Sequence, residues 1–393
     1  ARANAEVDFS LVNSNQNIAV QQLDFYTKKV IATANTVSLT TLITNPRGIE
    51  SGETCYSVET GDWANPSMAD YPVDFALAGI DVYRQKIYAV AGNSQEKTEP
   101  TIFRFNISNP EGPPILEASL DNNSNVQAGL NGLKVVGDYA YAVSAHGADY
   151  SNCPPSLSCS QLHIMNVKTM ERVAWLKMPW SAGTAGQAVG ASIFYKNGFV
   201  YLGLSKTESG PEFNIIDVSN PASPIYKGGY AVGNGVNSIF VKDSYAYLAT
   251  PNSENLIILD ISNPANPVRV GGYSPGGAAN GKSIALTGTT AYLGRTFGSN
   301  EFHVINVSDP ANATAIASQD LGSGPSTSIN GIVARGQLVF LLTNGDIRII
   351  NKNTLSPHAP NLVLQDKGMA LDCEGNIVYA GGENSLYLIQ PAP

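Results

Sequence analysis

The chain has 393 residues and a net charge of −9, and only 14% of its residues are charged against a usual share of roughly a quarter. Its 43% hydrophobic content excludes a disordered chain, while the acidic balance and the absence of any Lys/Arg run exclude nucleic acid and an anionic membrane surface as partners. No apolar run reaches the ~18 residues of a membrane-spanning helix. The chain begins at Ala1, so any signal or anchor segment ahead of it is expected to have been removed.

Residues 1–45 contain neither Gly nor Pro; the first of each are Pro46 and Gly48. Leu11, Ile18 and Phe25 are seven apart, with Val12, Ala19, Tyr26 and Val30 close to the same face, a spacing that predicts an amphipathic α-helix over 5–34. Val37 to Ile43 reads as a strand. Residues 1–50 are therefore assigned to an N-terminal helix and strand, and 51–393 to a second, β-rich domain.

From about residue 70 the chain repeats itself. An aromatic column holds Tyr88, Tyr141, Tyr201, Tyr247, Tyr292, Phe340 and Tyr379. Nine positions earlier stand Gly79, Gly132, Ser192, Ser238, Ser283, Gly331 and Ala370, all small, each followed by Ile or Leu. A third strand in each pass ends in Asn106, Asn166, Asp217, Asp260, Asn306, Asn351 or Gln390, and four of these ends run into a turn with Pro110, Pro221, Pro264 or Pro310. Four antiparallel strands per radial repeat predict an all-β fold, a β-propeller of about seven blades. Small residues at the start of the inner strand let blades crowd at the axis. The short polar residue ending the third strand can accept bonds from turn amides.

The last pass stops after three strands, so a strand from the beginning of the domain is expected to complete it, with Cys55 to Glu59 as its source. Two readings stand for Cys373: a disulfide with Cys55 that locks this closure, or a buried thiol. Cys153 and Cys159 bracket a five-residue loop and are expected to form a disulfide in an oxidising compartment. They lie in the longest irregular insertion, from about His146 to Ser160, whose His146, Asp149, Tyr150 and Asn152 form the candidate binding loop.

The phrases Ile215-Ile216-Asp217-Val218-Ser219-Asn220-Pro221 and Ile257-Ile258-Leu259-Asp260-Ile261-Ser262-Asn263-Pro264 resemble the LVIVD repeat of bacterial and archaeal surface proteins. The resemblance covers roughly residues 70–393 and implies a secreted or surface-attached propeller, without an agreed activity. The segment Asn13 to Lys29 resembles the second half of the helix of a minor type IV pilin or pseudopilin, although the long apolar run with an early Glu is absent. The bland reading of that segment is a helical arm.

No nucleophile elbow, zinc motif, phosphate loop or haem site occurs. No catalytic, cofactor-binding or metal residue is assigned. The calcium-like cluster Asp121-Asn122-Asn123-Ser124-Asn125 carries one carboxylate and reads as a solvated turn. Asp217 and Asp260 occupy a repeat column and read as structural rather than catalytic; Trp63, Trp175 and Trp180 read as core before contact. The expected function is a non-enzymatic binding or adhesion module at the cell surface, with a protein or glycan partner and display on a type IV pilus. The alternatives are an extracellular hydrolase or lactonase using the central channel, and a filament or coat subunit.

Overall fold

The computed structural model describes residues 20–24, 29–32, 55, 61–92, 101–109, 112–120, 129–144, 160–178, 189–207 and 210–392. Two compact units are present, Ala1–Arg47 and Gly48–Pro393. In the first, Val20–Asp24 pairs antiparallel with Lys29–Ala32, with Leu23 opposite Val30. The helix expected over 5–34 is thus not seen: its described residues are strands. A seven-residue spacing is ambiguous here, because a tight hairpin also brings such positions opposite one another, and the β-branched Val30 and Ile31 suit a strand. The strand expected at 37–43 lies outside the described residues.

The second unit holds seven four-stranded antiparallel sheets, the blades of a propeller. Their inner strands are Leu77–Val82, Leu130–Val136, Gly190–Lys196, Ser238–Lys242, Gly281–Thr287, Ile329–Arg335 and Gly368–Glu374, which number blades 1 to 7. The aromatic column falls on the second strand of every blade and is at most 7% exposed throughout. Tyr88 packs in one cluster with Leu130 and Leu133 of the next blade, so this column joins blades as well as filling them. The small column marks a close approach of neighbouring blades: a methyl group added at Gly79 would lie 3.0 Å from the Gly132 Cα, and one at Gly331 would lie 2.7 Å from the Leu371 Cβ.

The polar residue ending the third strand caps the following turn. Asn106, Asn166, Asp217, Asp260, Asn306 and Asn351 each accept the amide of the residue two positions on, at 2.8–3.0 Å. Repetition of one local bond explains why the column tolerates Asn and Asp alike.

Blade 7 is completed from the start of the domain, by Asp62–Pro72 pairing with Ser385–Ala392. The closing strand is therefore not Cys55 to Glu59. Cys55 makes a parallel bridge to Gly375, and residues 56–59 lie outside the described residues. Pro66 and Pro72 disguise the true strand, yet an outermost strand has one edge free and can hold proline there; the register shift between Asp62 and Ser67 absorbs Pro66. Trp63, 2% exposed, anchors the closure edge-on against Phe340 of blade 6, with the Arg335 guanidinium over its ring.

Candidate functional site

The inner strands of all seven blades surround a central channel of about 270 Å³. Every member of the small column lines it, together with Asn131, Asn237, Asn330, Lys134, Asp372, Cys55 and Cys373. Several of these polar groups are already spent on joining blades. Asn131 Nδ2 donates to the Gly190 carbonyl, Asn237 Nδ2 to Gly281 and Asn330 Nδ2 to Gly368, bridging blades 2 to 3, 4 to 5 and 6 to 7. Ser192 Oγ donates to the Val236 carbonyl and Ser283 Oγ to Ile329, bridging blades 3 to 4 and 5 to 6. All five accepting carbonyls occupy the same repeat position.

The two remaining junctions are fastened near the other end of the channel, through carboxylates. Asp372 Oδ2 accepts the Val82 amide of blade 1 at 2.6 Å, and Asp81 Oδ2 accepts the Val135 amide of blade 2 at 2.7 Å. Lys134 Nζ lies 2.5 Å from Asp81 Oδ1. Burial pushes the Asp81 carboxyl up to about 7, with Asp372 adding to the rise and Lys134 opposing it. Burial works against the Lys134 charge, but Asp81 and Asp372 outweigh it and hold the ammonium above the usual lysine range. Charged residues in this ring therefore act first as fasteners.

Cys55 and Cys373 are disulfide-bonded, with Cα atoms 5.3 Å apart. Cys373 is in the inner strand of blade 7, so the bond ties the beginning of the domain to its last blade, the first of the two readings. Cys153, Cys159, His146, Asp149, Tyr150 and Asn152 lie outside the described residues, as do Asp121 to Asn125 and Trp180. Trp175 is 43% exposed on the outer strand of blade 2, away from a core role, whereas Trp63 is core.

Asp217 and Asp260 do not converge on a site. Each caps its own turn, and the bonds from Ser219 and Ser262 hold both carboxyls below the usual range. Among the described residues no three His, Cys, Asp or Glu side chains gather as a metal cluster. No helix among them is long and apolar enough to cross a membrane, which says nothing of β-barrels.

A further polar column escaped the sequence reading. Thr101, Gln161, Glu212, Asn255 and Glu301 immediately precede third strands, Ser385 opens one, and all six are buried. Gln161 Oε1 accepts the Met178 amide, Glu212 Oε2 that of Val232 and Glu301 Oε2 that of Leu321, each pinning the connection to the next blade. The available signal was a polar residue abutting every apolar third strand. Its burial was not legible because a polar residue at a strand end is ordinarily solvated.

Antiparallel order places the connections between second and third strands, and those from blade to blade, on the face where inner strands begin. Four long ones, 92–101, 121–129, 145–161 and 177–189, leave from this face on blades 1 to 3. The inner hairpins on the opposite face span two or three residues each.

The LVIVD repeat family profile matches residues 196–232 and 234–274. No curated protein matches the chain. Among solved structures, the computationally designed Ika8 protein is similar over 86% of this chain and 99% of its own, with a TM-score of 0.52 and 9% identity, a likeness of fold alone. The chain is a seven-bladed β-propeller that carries LVIVD repeats in its third and fourth blades.

Proposed function

We propose that this propeller is a non-enzymatic binding module of the cell surface, and that it meets a protein or glycan partner on the face carrying the four long connections. The observation that carries this reading is a division of labour. Polar groups around the channel fasten blade to blade, whereas the two longest connections between strands, 145–161 and 177–189, both leave the face where inner strands begin. Loops freed from core packing are where recognition is built on a rigid scaffold. His146, Asp149, Tyr150 and Asn152 belong to the longest of these connections, for which a Cys153–Cys159 disulfide is the expected clasp. The low charge and paired cysteines suit an extracellular setting. Adhesion on a type IV pilus draws its support from the composition of 13–29.

The test replaces 146–159 with a short Gly-Ser link and applies the parent and trimmed chains to a glycan array and to immobilised surface proteins. The parent is expected to bind selectively and the trimmed chain to keep its melting temperature and lose that binding. Equal binding by both chains would overturn the assignment of the face. Turnover of ester or lactone substrates, abolished by Asp372→Asn in a folded chain, would overturn the non-enzymatic reading.

A further inference from the structure

Each of the five carbonyl junctions is fastened once, by an Asn just ahead of the small column or by a Ser within it. Blades 3 and 5 lack that Asn and use Ser192 and Ser283. Blade 4 holds both groups, Asn237 and Ser238. Asn237 Nδ2 already donates to the Gly281 carbonyl at 2.7 Å, so the Ser238 hydroxyl is surplus to the junction. Ser238 is half-buried, lines the channel, and makes no hydrogen bond among the described residues.

Fastening leaves other lining groups half used. Asn131, Asn237 and Asn330 spend Nδ2 on the next blade, and none of their Oδ1 atoms accepts a bond among the described residues. Asp372 gives Oδ2 to the Val82 amide and has no donor for Oδ1 among them. Lys134 Nζ carries three N–H groups and finds one acceptor, Asp81 Oδ1. All five side chains line the same channel, and none of these unpaired oxygens is sealed from solvent. The bonds already made hold them in place, so they are oriented before a ligand arrives.

The channel also offers an apolar wall. Ser238 and Phe240 are two apart on one strand and share a face. The half-buried Phe240 ring has its centroid 5.2 Å from that of Phe194, and both line the channel. From the Asn level to the level of Lys134 and Phe240 is three residues along the inner strands, roughly 10 Å. The channel's 270 Å³ is at the small end of ligand pockets. Its lining carries one ammonium and one carboxylate, so an ion of either sign would meet a like charge as well as an opposite one. A hydroxyl both donates and accepts, which suits this mixture of unused N–H and oxygen groups.

We propose that the channel binds a neutral polyhydroxylated ring the size of one pyranose, with hydroxyls on Ser238, the Asn amides, Lys134 and Asp372 and a C–H face on Phe240. The ligand is a free monosaccharide or the terminal sugar of a glycan. The site goes beyond the loop surface proposed above and stands whether or not that surface binds a partner.

Calorimetric titration of the full chain tests it, with glucose, galactose, mannose and N-acetylglucosamine in one arm and disaccharides ending in the same sugars in the other. Glycine and inorganic phosphate serve as ionic controls. One saturable site per chain is expected for at least one sugar; binding in the first arm alone indicates a free sugar, and binding in both a terminal one. Ser238→Ala should weaken binding several-fold and Ala191→Leu, which narrows the channel without touching a fastener, at least tenfold. Both should keep the parent's melting temperature in the absence of sugar. The chain trimmed of 146–159 should bind sugar as the parent does, which separates this site from the loop surface. Absence of saturable sugar binding in both arms, binding of the ionic controls instead, or an affinity unchanged by Ser238→Ala and Ala191→Leu would overturn the proposal. Should Ala191→Leu not fold, parent affinity in both Ser238→Ala and Phe240→Leu would do the same.

Discussion

Asp372 on the last blade accepts the Val82 amide of the first at 2.6 Å, across the junction where the ring closes on itself. Next to it, Asp81 repeats the bond to Val135. These two consecutive junctions are the ones without the Asn or Ser fastener seen around the rest of the ring. The fold thus uses acidic residues where its own closure needs to be held, and leaves Val82 with a partner only while Asp372 is present.

Asp372→Ala strands a buried amide and is expected to cost about 1–3 kcal/mol. Asp372→Asn keeps an acceptor and should cost less. Urea unfolding of the three chains checks the order, and equal midpoints for Ala and parent would contradict a fastening role.

Stability should carry two opposed pH dependences. The Asp81 carboxyl, raised to about 7 from 3.8, binds its proton more tightly in the folded chain. Its contribution is present below 3.8 and is lost as pH rises towards about 7. Burial, aided by Arg295, pushes His303 down to about 4 from 6.5, and burial, aided by Arg172, pushes His163 down to about 3. Their contribution is present above 6.5 and is lost as pH falls through that window. Asp81→Asn should remove the decline towards neutral pH, and His303→Gln should blunt the loss on acidification. Denaturation midpoints from pH 4 to 8 read both, and parallel profiles for parent and variants would count against them.

The Cys55–Cys373 bond spans 318 residues, so it restricts the unfolded chain strongly. Cys55→Ser is expected to lower stability by about 2–5 kcal/mol. The ring should stay closed, because Asp62–Pro72 remains paired with Ser385–Ala392. Peptide mapping without reductant should recover the two cysteines in one linked species; free thiols at both positions would refute the bond.

Asp217→Asn and Asp260→Asn should be nearly silent, shifting stability by less than about 0.5 kcal/mol. Asn fills the same column in blades 1, 2, 5 and 6 and makes the same bond to the turn amide. A Ser219→Ala control separates loss of the turn contact from loss of charge. A large drop for either Asn variant would indicate a role outside the turn.

Much of this architecture was legible from local periodicity. The aromatic column, the small column nine residues ahead of it and the Asn/Asp turn cap recur because every blade faces the same axis, neighbours and solvent. The physical demand repeats, so the residue type repeats, and blade number, strand order and the place of Cys373 could be read directly. Other features depend on what stands opposite a residue in space. Pro66 and Pro72 argue against a strand until their free outer edge is known. Leu23 and Val30 fit a helix face and a hairpin register equally well. Glu212 and Glu301 look like solvated strand ends, but the next connection folds over them and makes their carboxylates its caps. Whether Asn131 or Ser192 fastens a junction turns on which one reaches the neighbouring carbonyl, and that distance is set by the ring. By itself, the sequence determined the repeating unit and its orientation. Only the tertiary structure decided which polar groups are consumed in closing the propeller, because a partner from another blade is brought near by closure and not by proximity along the chain.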